Sequence, residues 1–162
     1  MTTRIYLTNL AAYNRGILKG HWVELPQEEG DLEKIIAEVL GNDEEYFITD
    51  HESPFEIHEY ENIHELNRFI EGYDALDEYG QDKAEYLLNT IGLKREEILD
   101  NLDDVEYYPE LTLEDLAEEF VDDGIFGDIP ESIKPYIDYE KIGRDLSFDG
   151  YHETSKGVFF FR

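Results

Sequence analysis

The sequence contains no cysteine, only 13 Lys and Arg residues, and no long apolar run among its 162 residues. Without cysteine, the chain forms no disulfide, carries no thiol nucleophile and offers no cysteine ligand to zinc. No segment approaches the roughly 20 apolar residues that a transmembrane helix requires. The opening residues, MTTRIYLTNL, lack the apolar core of a signal peptide. We therefore expect a cytoplasmic protein.

The few basic residues contrast with 41 Asp and Glu residues, which give a formal net charge of -28 at pH 7. Acidic chains that stay disordered have few aromatic and β-branched residues. Here 41% of the residues are hydrophobic and 14% are aromatic, so we expect a folded chain. Such an acidic surface repels nucleic acid and anionic membranes, and it suits a basic partner, either a cationic groove on another protein or metal ions.

The apolar pattern of the first part of the chain mixes strands with one helix. Alternation predicts strands over residues 4–10, 21–26 and 45–52, and helical spacing predicts a helix over residues 31–41. The pattern then becomes helical from Asn62, a candidate N-cap, as far as residue 102. Gly72 and Gly92 are expected to break this helical stretch.

The last part of the chain again mixes both types of element. A strand is predicted over residues 105–108, a helix follows, and residues 146–162 are typical of a closing hairpin. ESIKPYIDYEKIG is expected to be partly helical and interrupted by Pro135. The sequence therefore predicts an elongated α+β chain of three small domains: α+β over residues 1–61, helical over residues 62–103, and α+β over residues 104–162.

The stretch LTLEDLAEEFVDDGIFGDIPE, residues 111–131, predicts an amphipathic helix. Thr112 is a candidate N-cap with Asp115 three residues on, and Gly124 suits the left-handed stop. The apolar stripe consists of Leu113, Leu116, Ala117, Phe120 and Val121. The opposite face carries only acids, which are Glu114, Asp115, Glu118, Glu119, Asp122 and Asp123.

Folding alone gives no reason for so acidic a helix face. Each like-charge pair four residues apart costs roughly 0.2–0.5 kcal/mol, whereas burying one large apolar side chain stabilises by about 1.5–3 kcal/mol. The helix therefore forms despite its charge. Six acids over about 13 Å of helix place one charge every 2.3 Å or so, near the density of about one per 1.7 Å along duplex DNA. The plain alternative is a solvated acidic face.

Catalytic and metal-binding motifs do not account for the sequence. HEYENIH, residues 58–64, fails the HExxH zinc pattern because Asn62 stands where the second histidine is required. The acid-rich segments fail the spacing of a calcium loop, and no phosphate loop, GxGxxG or GxSxG motif is present. We expect no enzyme activity, no cofactor and no dedicated metal site.

Three long blocks carry a resemblance to a known family. They are IYLTNLAAYNRGILKGHWVELP (5–26), FITDHESPFEIHEYENIHELNRF (47–69) and FGDIPESIKPYIDYEKIGRDL (126–146). The first contains the NLxxYNxG pattern, the second the D-x-E-x-PF core, and the third the YxDYExxxRDL run. Together they make the chain similar to the ArdA antirestriction proteins of mobile DNA, nearly from end to end. The main departures lie between residues 72 and 110.

The resemblance implies a function and a set of partners. ArdA proteins resemble bent duplex DNA and occupy the DNA-binding groove that the specificity and methyltransferase subunits of type I restriction–modification enzymes form. They inhibit restriction, and often modification, and they pair into a curved homodimer. The family's antirestriction motif, near the dimer contact, is carried over to Phe126, Asp128, Pro130, Glu131, Tyr136, Asp138 and Tyr139.

Two other interpretations of the acidic composition remain open from the residues alone. In one, the chain mimics DNA for a different basic target, such as a nucleoid protein or a nuclease. In the other, the acids hold water and salt in a halophile-type protein of different function. The first shares every charge argument given above, and the second predicts unfolding at low salt.

Overall fold

The computed structural model describes residues 2–162, which form two compact units. Unit 1 contains the residues up to Asp77 together with Leu87–Leu99, and unit 2 contains Glu78–Tyr86 and Asp100–Arg162. Each unit combines helices with a three-stranded antiparallel sheet, which confirms the predicted α+β class. The scheme of three domains stays a prediction. No helix within residues 2–162 is long and apolar enough to span a bilayer.

Residues 2–162 form six strands and seven α-helices. The strands are β1 (Thr3–Asn9), β2 (Gly20–Leu25), β3 (Tyr46–Glu52), β4 (Val105–Pro109), β5 (Tyr151–Thr154) and β6 (Gly157–Phe161). The helices are α1 (Leu10–Asn14), α2 (Glu29–Leu40), α3 (Ile63–Asp74), α4 (Glu78–Tyr86), α5 (Arg95–Ile98), α6 (Leu113–Asp122) and α7 (Tyr139–Phe148). A π-helical turn spans Leu87–Ile91, and 3₁₀ turns span Leu99–Asp104 and Lys134–Tyr136.

The sheet of unit 1 has the strand order β2-β1-β3. Its strands alternate as the sequence predicts, because successive side chains of a strand point to opposite faces. Ile5, Leu7 and Val23 are buried, while Tyr6 and Trp22 form an edge-to-face pair on the more exposed side. Helix α2 follows β2 and buries Leu32 and Val39, so the apolar side of the sheet is covered.

Asn9 joins the start of one helix to the end of another. Its side-chain oxygen accepts a hydrogen bond from the N–H of Ala12, which caps α1. Its amide nitrogen donates to the carbonyls of Val39 and Leu40 at the end of α2, and to the carboxylate of Asp43. The hydrogen bond from Asn9 holds the pKa of Asp43 below its usual value. A fully buried asparagine thus satisfies backbone groups of two helices at once.

The helical part of unit 1 confirms one sequence prediction and corrects another. Asn62 caps α3 by accepting hydrogen bonds from the N–H groups of His64 and Glu65, as predicted. Gly72 was expected to break the helix, but α3 continues through it to Asp74. A Cβ atom at Gly72 would lie 2.4 Å from Cδ1 of Leu99, so this glycine makes room for a packed side chain.

Unit 2 holds α4 against its sheet through aromatic stacking and charge. The rings of Tyr86 and Tyr107 each stack on Phe159, with centroid distances of 4.6 and 4.2 Å. Lys156 Nζ lies 2.8 Å from an oxygen of Asp82 and 2.7 Å from an oxygen of Glu85. Burial raises the pKa of Tyr86 and of Tyr107 to about 12. This anchoring places α4 in the second compact unit.

The closing hairpin begins later than predicted. Residues 146–148 belong to the end of α7, and the hairpin consists of β5 and β6. Leu146 lies one helical turn after Ile142, and both contribute to the apolar cluster around α6. Packing of this helical stripe therefore decides the conformation of residues that would also suit a strand.

We expect Asn9→Ala to lower the free energy of unfolding by about 2–3 kcal/mol, because one helix cap is lost and two carbonyls lose their donor. Asn62→Ala, which removes only a cap, serves as the control and should lower it by about 1 kcal/mol. Urea denaturation followed by the fluorescence of Trp22, the single tryptophan, measures both. Equal losses in the two variants would contradict a linking role for Asn9.

Candidate functional site

Local hydrogen bonds fix both ends of α6. Thr112 Oγ1 accepts from the N–H of Asp115 at 3.1 Å, and the N–H of Thr112 donates to Oδ2 of Asp115 at 3.1 Å. This reciprocal capping box confirms the start predicted from the sequence. At the other end, Gly124 adopts a positive φ of 75°, as predicted for the stop.

The apolar stripe of α6 packs on α7 and on the sheet of unit 2. Leu116 and Ala117 are fully buried in a cluster with Leu146 and Val158, and Leu113 and Phe120 border it. Gly143 of α7 lies against the start of α6, and a Cβ atom there would come within 3.0 Å of the backbone of Leu113. This close approach orients the opposite face of α6 to solvent.

All six predicted acids of α6 are exposed, but they differ in their contacts. Asp115 is engaged in the capping box, and Asp122 lies 3.4 Å from Nζ of Lys134. Within residues 2–162, no Lys, Arg or His nitrogen lies within 4 Å of the other four carboxylates, which belong to Glu114, Glu118, Glu119 and Asp123. These four form a negative surface without a cation of its own.

The ion pairs of Lys134 were not predicted from the sequence. Its amino group lies 2.8 Å from Oε1 of Glu131 and 3.4 Å from Oδ1 of Asp122, and the bond to Glu131 is the main cause of its raised pKa. The stretch of residues 111–131 contains no base, but the following 3₁₀ turn brings one back to it. In the sequence, only the three-residue spacing between Glu131 and Lys134 indicated an ion pair that involves Lys134.

The residues of the predicted antirestriction motif have different structural roles. Asp138 caps α7 by accepting from the N–H of Lys141, and Tyr139 packs against the apolar cluster. Phe126 and Tyr136 are exposed, with 52% and 84% of their surface accessible. Asp128, Pro130 and Glu131 are also exposed.

An exposed apolar group accompanies this motif. Ile125 and Ile133 are more than half exposed, like Phe126 and Tyr136. We name these four residues the motif patch. Exposed apolar side chains gathered in a short segment are typical of a protein–protein contact.

A comparison with protein-family models matches residues 5–160 to the family described as Antirestriction protein (ArdA). The chain belongs to the ArdA family. The matched range includes α6, the motif patch and nearly all of both sheets, and it confirms the family identified from the three sequence blocks. A search of the curated proteins found no match.

The histidines of this ArdA chain do not gather into a metal site. Nδ1 of His64 lies 2.7 Å from Oε2 of Glu29, and the backbone N–H of His58 donates to the carboxylate of Glu61. Within residues 2–162, the structure brings together no group of three or more His, Asp or Glu side chains suited to hold a metal ion. The segment HEYENIH thus takes part in hydrogen bonds that support the structure of unit 1.

We expect Glu118→Gln to stabilise unit 2 by about 0.4–1 kcal/mol at low salt, because it removes the like-charge pairs with Glu114 and Asp122. Asp122→Asn is the matched comparison, since it removes one such pair but also the attraction to Lys134. Thermal unfolding followed by circular dichroism, at low and high salt, measures the difference. A gain that persists unchanged at high salt would contradict an electrostatic cause.

Proposed function

We propose that this protein inhibits type I restriction–modification enzymes by occupying their DNA-binding groove, which the specificity and methyltransferase subunits form. Restriction is blocked because the enzyme cannot hold DNA, and modification is blocked for the same reason. Membership of the ArdA family supports an antirestriction role. The inhibition needs no covalent chemistry and no cofactor, so we propose a binding protein and not an enzyme.

The exposed acidic face of α6 is the main structural support for this proposal. Among residues 2–162, no cation lies near four of its carboxylates, and the helix holds them on one side by burying the other. A protein groove that binds duplex DNA presents Lys and Arg at the spacing of phosphates. Counted over all six acids, the charge density of α6 approaches that of DNA, and the four carboxylates without a nearby cation can pair with the same cations.

The energy of such binding is shared among many contacts. Each exposed ion pair contributes little by itself, about 0–1 kcal/mol, and the release of counterions adds over all of them. The rest of the chain adds to the effect, because the acids that give the whole chain its charge of -28 are spread along the sequence from Glu24 onward. We therefore propose that no single carboxylate is essential.

The motif patch supports a second part of the proposal, which is a homodimer. Ile125, Phe126, Ile133 and Tyr136 expose large apolar surface in a chain that is strongly acidic as a whole. Two copies that bring these patches together remove apolar surface from water, as an isologous dimer does. The antirestriction motif would then act through pairing, with the carboxylates of both copies facing the enzyme.

Displacement of bound DNA tests whether the protein occupies the DNA-binding groove. The protein should release a labelled duplex with its recognition site from a type I methyltransferase core, and the release should weaken steeply as salt rises. Replacing Glu114, Glu118, Glu119 and Asp123 together by their amides should weaken displacement strongly, whereas Glu118→Gln alone should change it little. Circular dichroism checks that the variants are folded.

Full displacement by a folded fourfold variant would contradict the role of α6. No displacement by the wild-type protein at low salt would contradict the choice of target. A nucleoid protein and a nuclease, each holding the same labelled duplex, are then the next basic proteins to test.

Sedimentation tests whether the protein forms a homodimer through the motif patch. We expect Tyr136→Ala to shift the equilibrium toward the monomer, because a large exposed ring is lost from the motif patch. Phe148→Ala is the control, since Phe148 is 78% exposed in the same unit but lies outside the motif. Identical sedimentation profiles for wild type and Tyr136→Ala would exclude this ring from the contact.

A further inference from the structure

The segment from Tyr13 to Lys19 in unit 1, here named the basic turn, contains the end of α1 and the turn that follows it. All seven of its residues are exposed. Its backbone is nonetheless fixed: the N–H of Gly16 donates to the carbonyl of Tyr13, and the N–H of Ile17 donates to the carbonyl of Ala12. The carbonyl of Lys19 accepts from the N–H of Asn9, which ties the end of the turn to β1.

The basic turn displays large apolar side chains. Ile17 is 55% exposed and Leu18 is 71% exposed, and Tyr13 is more than half exposed. The ring of Tyr13 meets the buried ring of Phe47 edge to face at 5.2 Å, and the exposed Tyr60 stacks on Phe47 at 6.0 Å. We name Tyr13, Ile17, Leu18 and Tyr60 the apolar patch of unit 1.

The charge of the basic turn is opposite to that of the protein. Residues 1–23 contain no acid, although the whole chain carries 41. Arg15 lies 3.5 Å from Asp43, and both Arg15 and the exposed Lys19 help to lower the pKa of that carboxyl, so one acid faces the two cations. A cationic turn is repelled by groups that bind phosphates. The basic turn therefore suits a neighbouring surface that is apolar and acidic.

We infer that the apolar patch of unit 1 and the basic turn bind the protein surface of the target enzyme beside its DNA groove, at an apolar depression bordered by carboxylates. This inference rests on the proposed function and adds a contact that duplex DNA does not make. Ion pairs with the groove weaken as salt rises, whereas apolar contact does not depend on screening. The apolar patch of unit 1 thus supplies affinity that persists at physiological salt and favours the inhibitor over DNA.

The experiment compares affinities for a type I methyltransferase core without DNA, at several salt concentrations. We expect the double variant Ile17→Ser/Leu18→Ser to bind roughly 10- to 100-fold more weakly. This is the loss of affinity expected when a few anchoring side chains are removed from an interface. The loss should be the same at every salt concentration, so the slope of affinity against salt stays that of the wild type. The fourfold amide variant of α6 should instead reduce that slope.

Two further variants decide the chemistry of the surface that is contacted. Phe148→Ser removes an exposed apolar side chain outside the apolar patch of unit 1, and it should leave the affinity unchanged. Lys19→Glu should weaken binding, because it places a carboxylate against carboxylates. Stronger binding by Lys19→Glu would overturn the inference, since the turn would then face the basic groove.

Failure of the inference is distinct from failure of the proposed function. If the wild type binds and the folded double variant binds equally well, the apolar patch of unit 1 has no role and only the inference falls. If Phe148→Ser loses as much affinity as the double variant, the effect is not specific to the turn, and the inference is again overturned. If the wild type itself does not bind the methyltransferase at low salt, the proposed function fails and the inference falls with it.

Discussion

The burial of one apolar stripe on α6 is the interaction on which the acidic surface depends. Leu116 and Ala117 are fully buried against α7 and the sheet of unit 2, and their burial outweighs the mutual repulsion of the carboxylates on the opposite face. Without that packing, the charges would drive the segment to unfold. The acids are therefore held in a fixed array by residues that carry no charge.

Several of the chain's few basic residues connect segments that are distant in sequence. Arg4 pairs with Glu52, and the guanidinium of Arg95 binds the carboxylate of Glu61 and the carbonyl of Glu56. Lys156 reaches Asp82 and Glu85 on α4. Because these bases are paired within the protein, they reduce the negative field only locally. Most of the acidic surface stays available to an external cation.

Local patterns in the sequence predicted local structure well. The capping box at Thr112, the stripe of α6 and the stop at Gly124 all depend on residues within one or two helical turns, so the sequence displays them directly. Contacts between distant segments were missed. The fit of Leu99 against Gly72 kept α3 continuous, and the 3₁₀ turn brought Lys134 to Asp122. Such contacts follow from tertiary packing, which no short window of sequence contains.

The approach of Gly143 to the backbone of Leu113 has a consequence for how this surface can change during evolution. Asp and Glu can replace each other on the exposed face one at a time, since each exchange moves a single charge by about the length of a methylene group. A side chain at position 143 would push α6 away from α7 and move all of its carboxylates together. One uncharged residue thus constrains the orientation of the array more strongly than any acid within it.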